Sequence, residues 1–468
     1  MKKILKWIFV LAALLVSFCC ASALAETSGT CGKNLSWMLD DEGTLIISGT
    51  GEMTSHPWAV GNVRNTIIEE GVTNICSYAF HNCTNMTSVT ISEGVTIIGD
   101  HAFYNCGSLT SINFPDSVTS IGDFVFDYCA CLESVTIPEN VMSIGINTIR
   151  NCNNIIWYTA LDSNSSKVLS KKGYSFRVQG DNYSLKYLYT DDEITGLEIC
   201  CVDKDAYVVT IPDNVTSIGN YAFQECRQLY SVTIPASVTI IGKYAFDHCT
   251  NLWSLTLPDG ITSIDSCTFD ACHAIRYAQL ESESAKALSE KSYSFRVPGT
   301  VCDLIYEFKY ESISGISQKT TCGLELVDAD KNAVSITIPD GVTSIENNAF
   351  SNCSKLTSVY IPNSVRTVED YAFIGGGAKA KRYVVSMESD STKAVSKAGY
   401  SFRLPDTNYD LKYLYNDTTI SGLEIVEVDK ETVTFTIPEG VTSINELAFS
   451  HHMNLTDVII PKSMTSIN

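Results

Sequence analysis

Apolar and polar positions along this chain repeat every 23 residues. The stretch SVTIPASVTIIGKYAFDHC, residues 231–249, recurs with small edits. Phe80, Phe103, Phe126 and Ile149 fall 23 apart, as do Phe223, Phe246 and Phe269, and Phe350 and Phe373; Phe449 opens a last group. Within one unit, inward Val232 and Ile234 alternate with outward Ser231 and Thr233, which predicts a short strand. Pro235 ends it, having no N–H to continue a ladder. Val238 to Ile241 predicts a second extended piece, Gly242 marks the turn after it, and KYAFDHC predicts one helical turn that drops Phe246 and Cys249 into the core.

A single unit is too small to fold. Its six apolar side chains (Leu229, Val232, Ile234, Val238, Ile241 and Phe246) stabilise by roughly 1.5–3 kcal/mol each when buried. Ordering the backbone costs roughly 1–2 kcal/mol per residue. Stacked units share apolar faces and add ladder hydrogen bonds, so the array is stable where the unit is not. Equivalent residues of adjacent coils are then expected about 4.7–4.9 Å apart.

The pattern L-x-x-V-T-I-P-x-x-V-T-S-I-G-x-x-A-F-x-x-C resembles the BspA-type leucine-rich repeat family of bacterial surface and secreted proteins. The opening from Ser28 to Met53 resembles the leader module that precedes such arrays. The resemblance implies a mainly β fold with short helical turns, a leucine-rich-repeat solenoid of 23-residue coils. It also implies surface display and adhesion to matrix proteins or other microbes. The family has no shared catalytic motif, so no active-site residue carries over.

Three stretches break the beat and resemble one another: 166–178, 285–297 and 392–404, each ending in Y-S-F-R followed by Val or Leu. Each predicts a short helix and then a strand; Ser163 or Asn164 caps the first helix and Gly173 ends it. Each interruption is followed by a polar, Tyr-containing stretch and a strand, and is expected to close one solenoid segment and open the next. The expected division is a signal peptide at 1–25, an N-terminal β-hairpin cap module at 26–75, and solenoid segments at 76–178, 179–297 and 298–404. A fourth segment begins at 405–468. The cap is a hairpin over Leu35 to Ser48 turning at Asp41-Glu42-Gly43. Asn468 falls four residues before the next Phe is due, so the chain is expected to continue beyond it.

The signal is read from Lys2, Lys3 and Lys6, an apolar run from Trp7 to Val16, and Ala23-Leu24-Ala25. Cys19 and Cys20 suggest a lipid anchor, but Phe18 stands where a small residue should precede it. The net charge is −21; without those three lysines it is −24. Such acidity argues against nucleic acid and anionic lipid as partners.

Eighteen cysteines in an exported chain suggest disulfides. The column Cys83, Cys106, Cys129, Cys152, Cys226, Cys249, Cys272 and Cys353 argues for reduced core residues, because Gly376 and His452 replace it in two coils. Cys31 with Cys76, and Cys302 with Cys322, remain open as staples. His81, His101, His248 and His273 lack metal-ligand spacing. The Ser column at 88, 111, 134, 231, 254 and 358 serves every rung rather than one reaction centre. The sequence thus offers no catalytic, cofactor or metal residue.

Departures from the polar outer face point to binding. Tyr230, Trp253 and Tyr360 interrupt positions that elsewhere hold Thr, Ser or Asn, and exposed rings of this kind anchor partners. Aromatics can equally stabilise the sheet by packing on one another. The function expected is non-catalytic recognition or adhesion through the sheet face, toward a protein or glycan on a host or microbial surface. The alternative is a structural spacer that displays another module.

Overall fold

The computed structural model describes residues 27–152, 155–313 and 316–467. The expected signal peptide, with Cys19 and Cys20, lies outside them. The chain forms two compact units that divide at Cys200/Cys201.

The first unit opens with an antiparallel meander, Thr27–Gly32, Leu35–Leu39 and Thr44–Gly49. The Asp40 carboxylate closes its second turn by accepting from the N–H groups of Glu42 and Thr44 at 3.0 and 2.7 Å. The last strand then pairs in parallel with Asn65–Ile68, and that with Ser88–Ile91, so the cap passes directly into the ladder.

From there each coil pairs with the coil one period away. Ser111–Asn113, Ser134–Thr136 and Ile156–Tyr158 form one parallel column. A second column runs through Val72–Ile75, Ile97–Ile98, Ser120–Ile121 and Ser143–Ile144. The second unit repeats the arrangement, as in Ser217–Ile218, Ile240–Ile241 and Ser263–Ile264. The threonine that precedes this strand has a local reason: Thr119, Thr239 and Thr262 each donate a hydroxyl to the carbonyl of the matching threonine one coil back, at 3.3–3.4 Å.

The expected helical turn is not helical. In A-F-x-x-C every second N–H reaches the next coil: Tyr221, Phe223 and Glu225 donate to the carbonyls of Lys243, Ala245 and Asp247 at 2.9, 2.8 and 2.8 Å. The intervening N–H groups of Ala222, Gln224 and Cys226 turn back to Gly219, Tyr221 and Phe223. This alternation needs two left-handed residues per turn, here Tyr221 (φ 61) and Glu225 (φ 57). Left-handed backbone at a non-glycine residue costs about 1–2 kcal/mol, and the inter-coil bonds offset it. An isolated helical turn would have no such bonds.

The Phe side chains stack in files. Trp58 heads one, 5.5 Å from Phe80, followed by Phe103 at 5.2 Å and Phe126 at 5.9 Å. In the second unit Phe223, Phe246 and Phe269 stack at 4.8 and 5.6 Å, and Phe350 and Phe373 at 4.6 Å.

The cysteine column does more than fill space. The thiols of Cys106, Cys129, Cys152 and Cys249 donate to the carbonyls of Phe80, Phe103, Phe126 and Phe223, at 3.2, 3.1, 2.8 and 3.1 Å. His452, standing in the column, puts Nε2 3.1 Å from the Asp429 carbonyl, in the place where the Cys353 thiol faces the Asp330 carbonyl at 3.8 Å. All described cysteines are free thiols. Cys302 and Cys322 cannot staple the hairpin: Cys302 pairs with Ala329, seven residues beyond Cys322 along the opposite strand, a separation of about 20 Å at strand rise. Cys76 sits beside Cys31; burial and that neighbouring thiol push it up to about 11. Burial pushes Cys83 up to about 12 and Cys226 to about 11. Because the thiolate is the nucleophile, iodoacetamide at pH 8 should leave both column cysteines unmodified in the native chain and label them in urea. Native labelling as fast as in urea would contradict their burial.

Each interruption holds a helix: α1 (Asn164–Lys171), α2 (Glu283–Glu290) and α3 (Asp390–Lys397). Ser163, Ser282 and Ser389 cap them by accepting the N–H three residues on. Gly173 follows α1 in the left-handed region, as the sequence suggests. The polar Tyr stretch that follows is itself a strand. It folds back as an antiparallel hairpin, Tyr183–Thr190 with Glu193–Val202, Cys302–Ile313 with Ile316–Ala329, and Tyr409–Asn416 with Thr419–Val428.

Candidate functional site

Outward positions of the coils carry the aromatic residues singled out in the sequence, on two columns rather than one. Tyr230 and Trp253 stand one residue ahead of strands Ser231–Thr233 and Ser254–Thr256. They are 54% and 75% exposed. Tyr360 lies inside Ser358–Ile361, opposite Thr337 and Tyr383, and is 44% exposed. Thr233 occupies the corresponding place in its own coil, so Tyr360 belongs to the sheet face and the other two to its rim.

Tyr207, which the sequence reading passed over, opens the rim column and stacks on Tyr230 at 5.5 Å. Its signal was available: it stands 23 residues before Tyr230. Among the described residues no ring packs on Trp253. The Tyr207–Tyr230 pair therefore has an internal packing role that Trp253 lacks.

Tyr360 stacks on Tyr383 at 4.8 Å. The two rings, with Ile338, Asp340 and Pro405, line a groove of about 200 Å³ at the strand ends. The first unit has a counterpart of about 310 Å³, where Phe114, Asp116, Thr136, Tyr158 and Gln179 hold the matching positions. Each lies at the last rung before a helix interrupts the coils, beside the strand that follows that helix.

A third aromatic file follows the left-handed positions of the turns. Tyr78, His101 and Phe124 stack at 4.6 and 5.0 Å, and Tyr221 and Tyr244 at 5.4 Å. His101 is thus a stacking residue, and His81 turns its Nδ1 to the Tyr78 carbonyl at 2.8 Å. Among the described residues no group of His, Cys, Asp or Glu side chains is arranged to hold a metal ion. The serine column bonds along itself: Ser358 donates to Ser335 and Ser88 to Asn65, both at 2.8 Å.

Beneath the surface the Y-S-F-R motif follows each helix and ends a run of regular coils. Its Tyr ends a Phe file edge-on: Tyr293 on Phe269 at 5.3 Å and Tyr400 on Phe373 at 5.1 Å. Its Arg is buried. Arg403 holds Asp410 through Nε at 2.5 Å and grips Asp429 with both terminal nitrogens, at 2.8 and 3.0 Å. Arg296 holds Asp303 in the same way, at 3.0 and 2.9 Å. Burial works against the Arg403 charge, but its bonds to the two aspartates outweigh that and raise it further.

Parallel ladders one period apart, Phe files and thiol-to-carbonyl bonds define a leucine-rich-repeat solenoid, an architecture suited to binding along an extended surface. The BspA type leucine rich repeat region matches residues 58–172, 200–297, 328–390 and 429–468, in six copies, and the chain belongs to that family. It is similar to a leucine-rich repeat protein from Eubacterium ventriosum, with 22% identity over 78% of this chain and 92% of that one and a TM-score of 0.28. It is also similar to a leucine rich cell surface protein from Faecalibacterium prausnitzii, with 19% identity over 80% and 98% and a TM-score of 0.27. No curated protein matches it. Among the described residues no helix is long and apolar enough to cross a membrane.

Proposed function

We propose that the chain is an exported, non-catalytic recognition protein that adheres to a protein or glycan partner on a host or microbial surface. In this reading 1–25 is a signal peptide, 26–75 a cap, and the segments at 76–178, 179–297, 298–404 and 405–468 present successive outward columns. The protein acts in secreted form or at the cell surface and uses no cofactor.

The observation that carries the reading is Trp253. A tryptophan left 75% exposed, beside an exposed Tyr230, has apolar area available for a partner. Burying one such ring contributes about 1.5–3 kcal/mol. The groove beside Tyr360 adds a shallow contact, and affinity accumulates over the coils that engage one ligand together.

The test replaces Tyr230 and Trp253 together by Ser. Binding of the labelled protein to cultured epithelial cells, and to immobilised matrix proteins and glycans, should be lost while the far-UV circular dichroism spectrum stays unchanged. Binding equal to that of the wild type would favour a spacer that displays another module.

A further inference from the structure

Counted together with the hairpin that follows its helix, the third segment has a groove whose charge its counterparts lack. Between α3 and the hairpin 409–428 lies a cavity of about 600 Å³, lined by Arg366, Lys393, Lys397, Asp390, Tyr415 and the pair Thr418-Thr419. The three basic residues are exposed. Among the described residues none of them is in an ion pair.

The chain supplies its own comparison. The places of Arg366, Lys393, Lys397, Thr418 and Thr419 are taken in the first segment by Met142, Lys167, Lys171, Asp192 and Glu193. The correspondence is also structural: Tyr189 donates its hydroxyl to the Lys167 carbonyl at 3.0 Å, and Tyr415 does the same to Lys393 at 3.1 Å. In the first segment Lys171 pairs with Asp192 at 2.9 Å, and two lysines are balanced by two acids. In the second segment Thr262 and Glu290 replace Arg366 and Lys397, and the remaining Lys286 pairs with Glu283 at 3.1 Å. Only the third segment combines the added Arg with the loss of both hairpin acids, leaving three cations against Asp390.

In a chain of net charge −21, the background field repels anions, so such a cluster gains nothing from the surroundings and works only at contact range. The cavity lies within the range of about 300–1,000 Å³ typical of small-molecule sites, larger than a bare ion needs. Guanidinium and ammonium groups bind oxyanions; the Thr418 hydroxyl offers a neutral hydrogen bond to a polyol, and that of Thr419, which donates to the Asn416 carbonyl at 3.0 Å, can accept one. We propose that this groove binds an anionic saccharide unit, a sugar bearing a carboxylate or a sulfate. The site is separate from the aromatic columns and does not depend on them.

The test uses the full chain and calorimetric titration at low ionic strength with three disaccharides: one uronate-containing and unsulfated, one sulfated, and neutral lactose. At least one anionic probe should bind, lactose should not, and the affinity should fall steeply with added salt. The variant Thr418→Asp with Thr419→Glu restores acids like those of the first segment at exposed positions and should weaken binding at least tenfold. Lys167→Glu, on the first segment, should leave it unchanged. The preferred probe separates a carboxylate ligand from a sulfate one. Binding of neither anionic probe, equal binding of lactose, or wild-type affinity in the Thr418→Asp/Thr419→Glu variant would overturn the proposal.

Discussion

Replacing Phe246 by Asp should unfold the coils on both sides of it. Phe246 is fully buried between Phe223 and Phe269, and its N–H donates to Thr268 in the next coil at 2.8 Å. Removing such a ring from a core costs about 3–5 kcal/mol. The carboxylate adds several kcal/mol more, because it is buried between two rings; the Arg276 guanidinium meets the file one ring further on, over Phe269 at 5.4 Å from its centroid. A typical domain has a total stability of about 5–15 kcal/mol, so the loss is comparable with the whole. Coils contact mainly their neighbours, so the damage spreads along the stack. Thermal denaturation followed by circular dichroism, with limited proteolysis to locate the opening, measures it. A variant that melts with the wild type would show that Phe246 is not in the stack.

Arg403→Ala should come next in effect. Arg403 is 1% exposed, and its removal leaves the buried Asp410 carboxylate without its partner, which costs about 3–5 kcal/mol. Lys381→Ala, which removes only the half-exposed 2.8 Å contact to Asp429, should cost about 0–1 kcal/mol. The cluster also predicts a pH dependence. Burial pushes the Asp429 carboxyl up, but the bonds from Arg403 and Lys381 outweigh it and hold it below the usual carboxylate range. A carboxyl whose folded pKa lies below its unfolded value of about 3.9 contributes stability above that value and loses it as pH falls through the folded one. The wild type should therefore lose part of its advantage over Arg403→Ala between neutral pH and about pH 3. Urea denaturation of both proteins at the two pH values checks this; an equal difference at both would exclude the linkage.

The strand columns, the Phe files and the buried cysteines could be read from the sequence because each repeats at every coil, and a 23-residue period leaves no competing assignment. The A-F-x-x-C turn misled because Ala222, Phe223 and Cys226 have the spacing of a helical face, while the bonds that define the turn run to residues 22 positions away. A local sign of it was present. Asn82, Asn105, Asn151 and Asn352 occupy the second left-handed position in four turns, and asparagine tolerates that conformation. The Y-S-F-R motif was visible as a repeat but silent as to role, since Asp410 and Asp429 lie 7 and 26 residues from Arg403 and meet it only through the hairpin. Among the candidate binding residues, Tyr230 and Trp253 could be placed together from their spacing. That Tyr360 lies on a different column was legible too, since in the repeat it aligns with Thr233 and Thr256 and not with Tyr230 and Trp253; the outward-facing pattern had grouped all three. The cationic groove of the third segment needed the alignment of the interruptions with one another and the pairing of helix with hairpin.

The dependence of every coil on its neighbours is tested most directly by amide hydrogen exchange resolved within residues 219–226. If the turns are rungs of a ladder, the N–H groups of Phe223 and Glu225, bonded to the coil that follows, exchange slowly in the intact protein and lose that protection when Phe246 becomes Asp. Exchange at the rate of an unstructured peptide in the wild type, or protection that survives the substitution, would show that the coils are ordered by something other than each other.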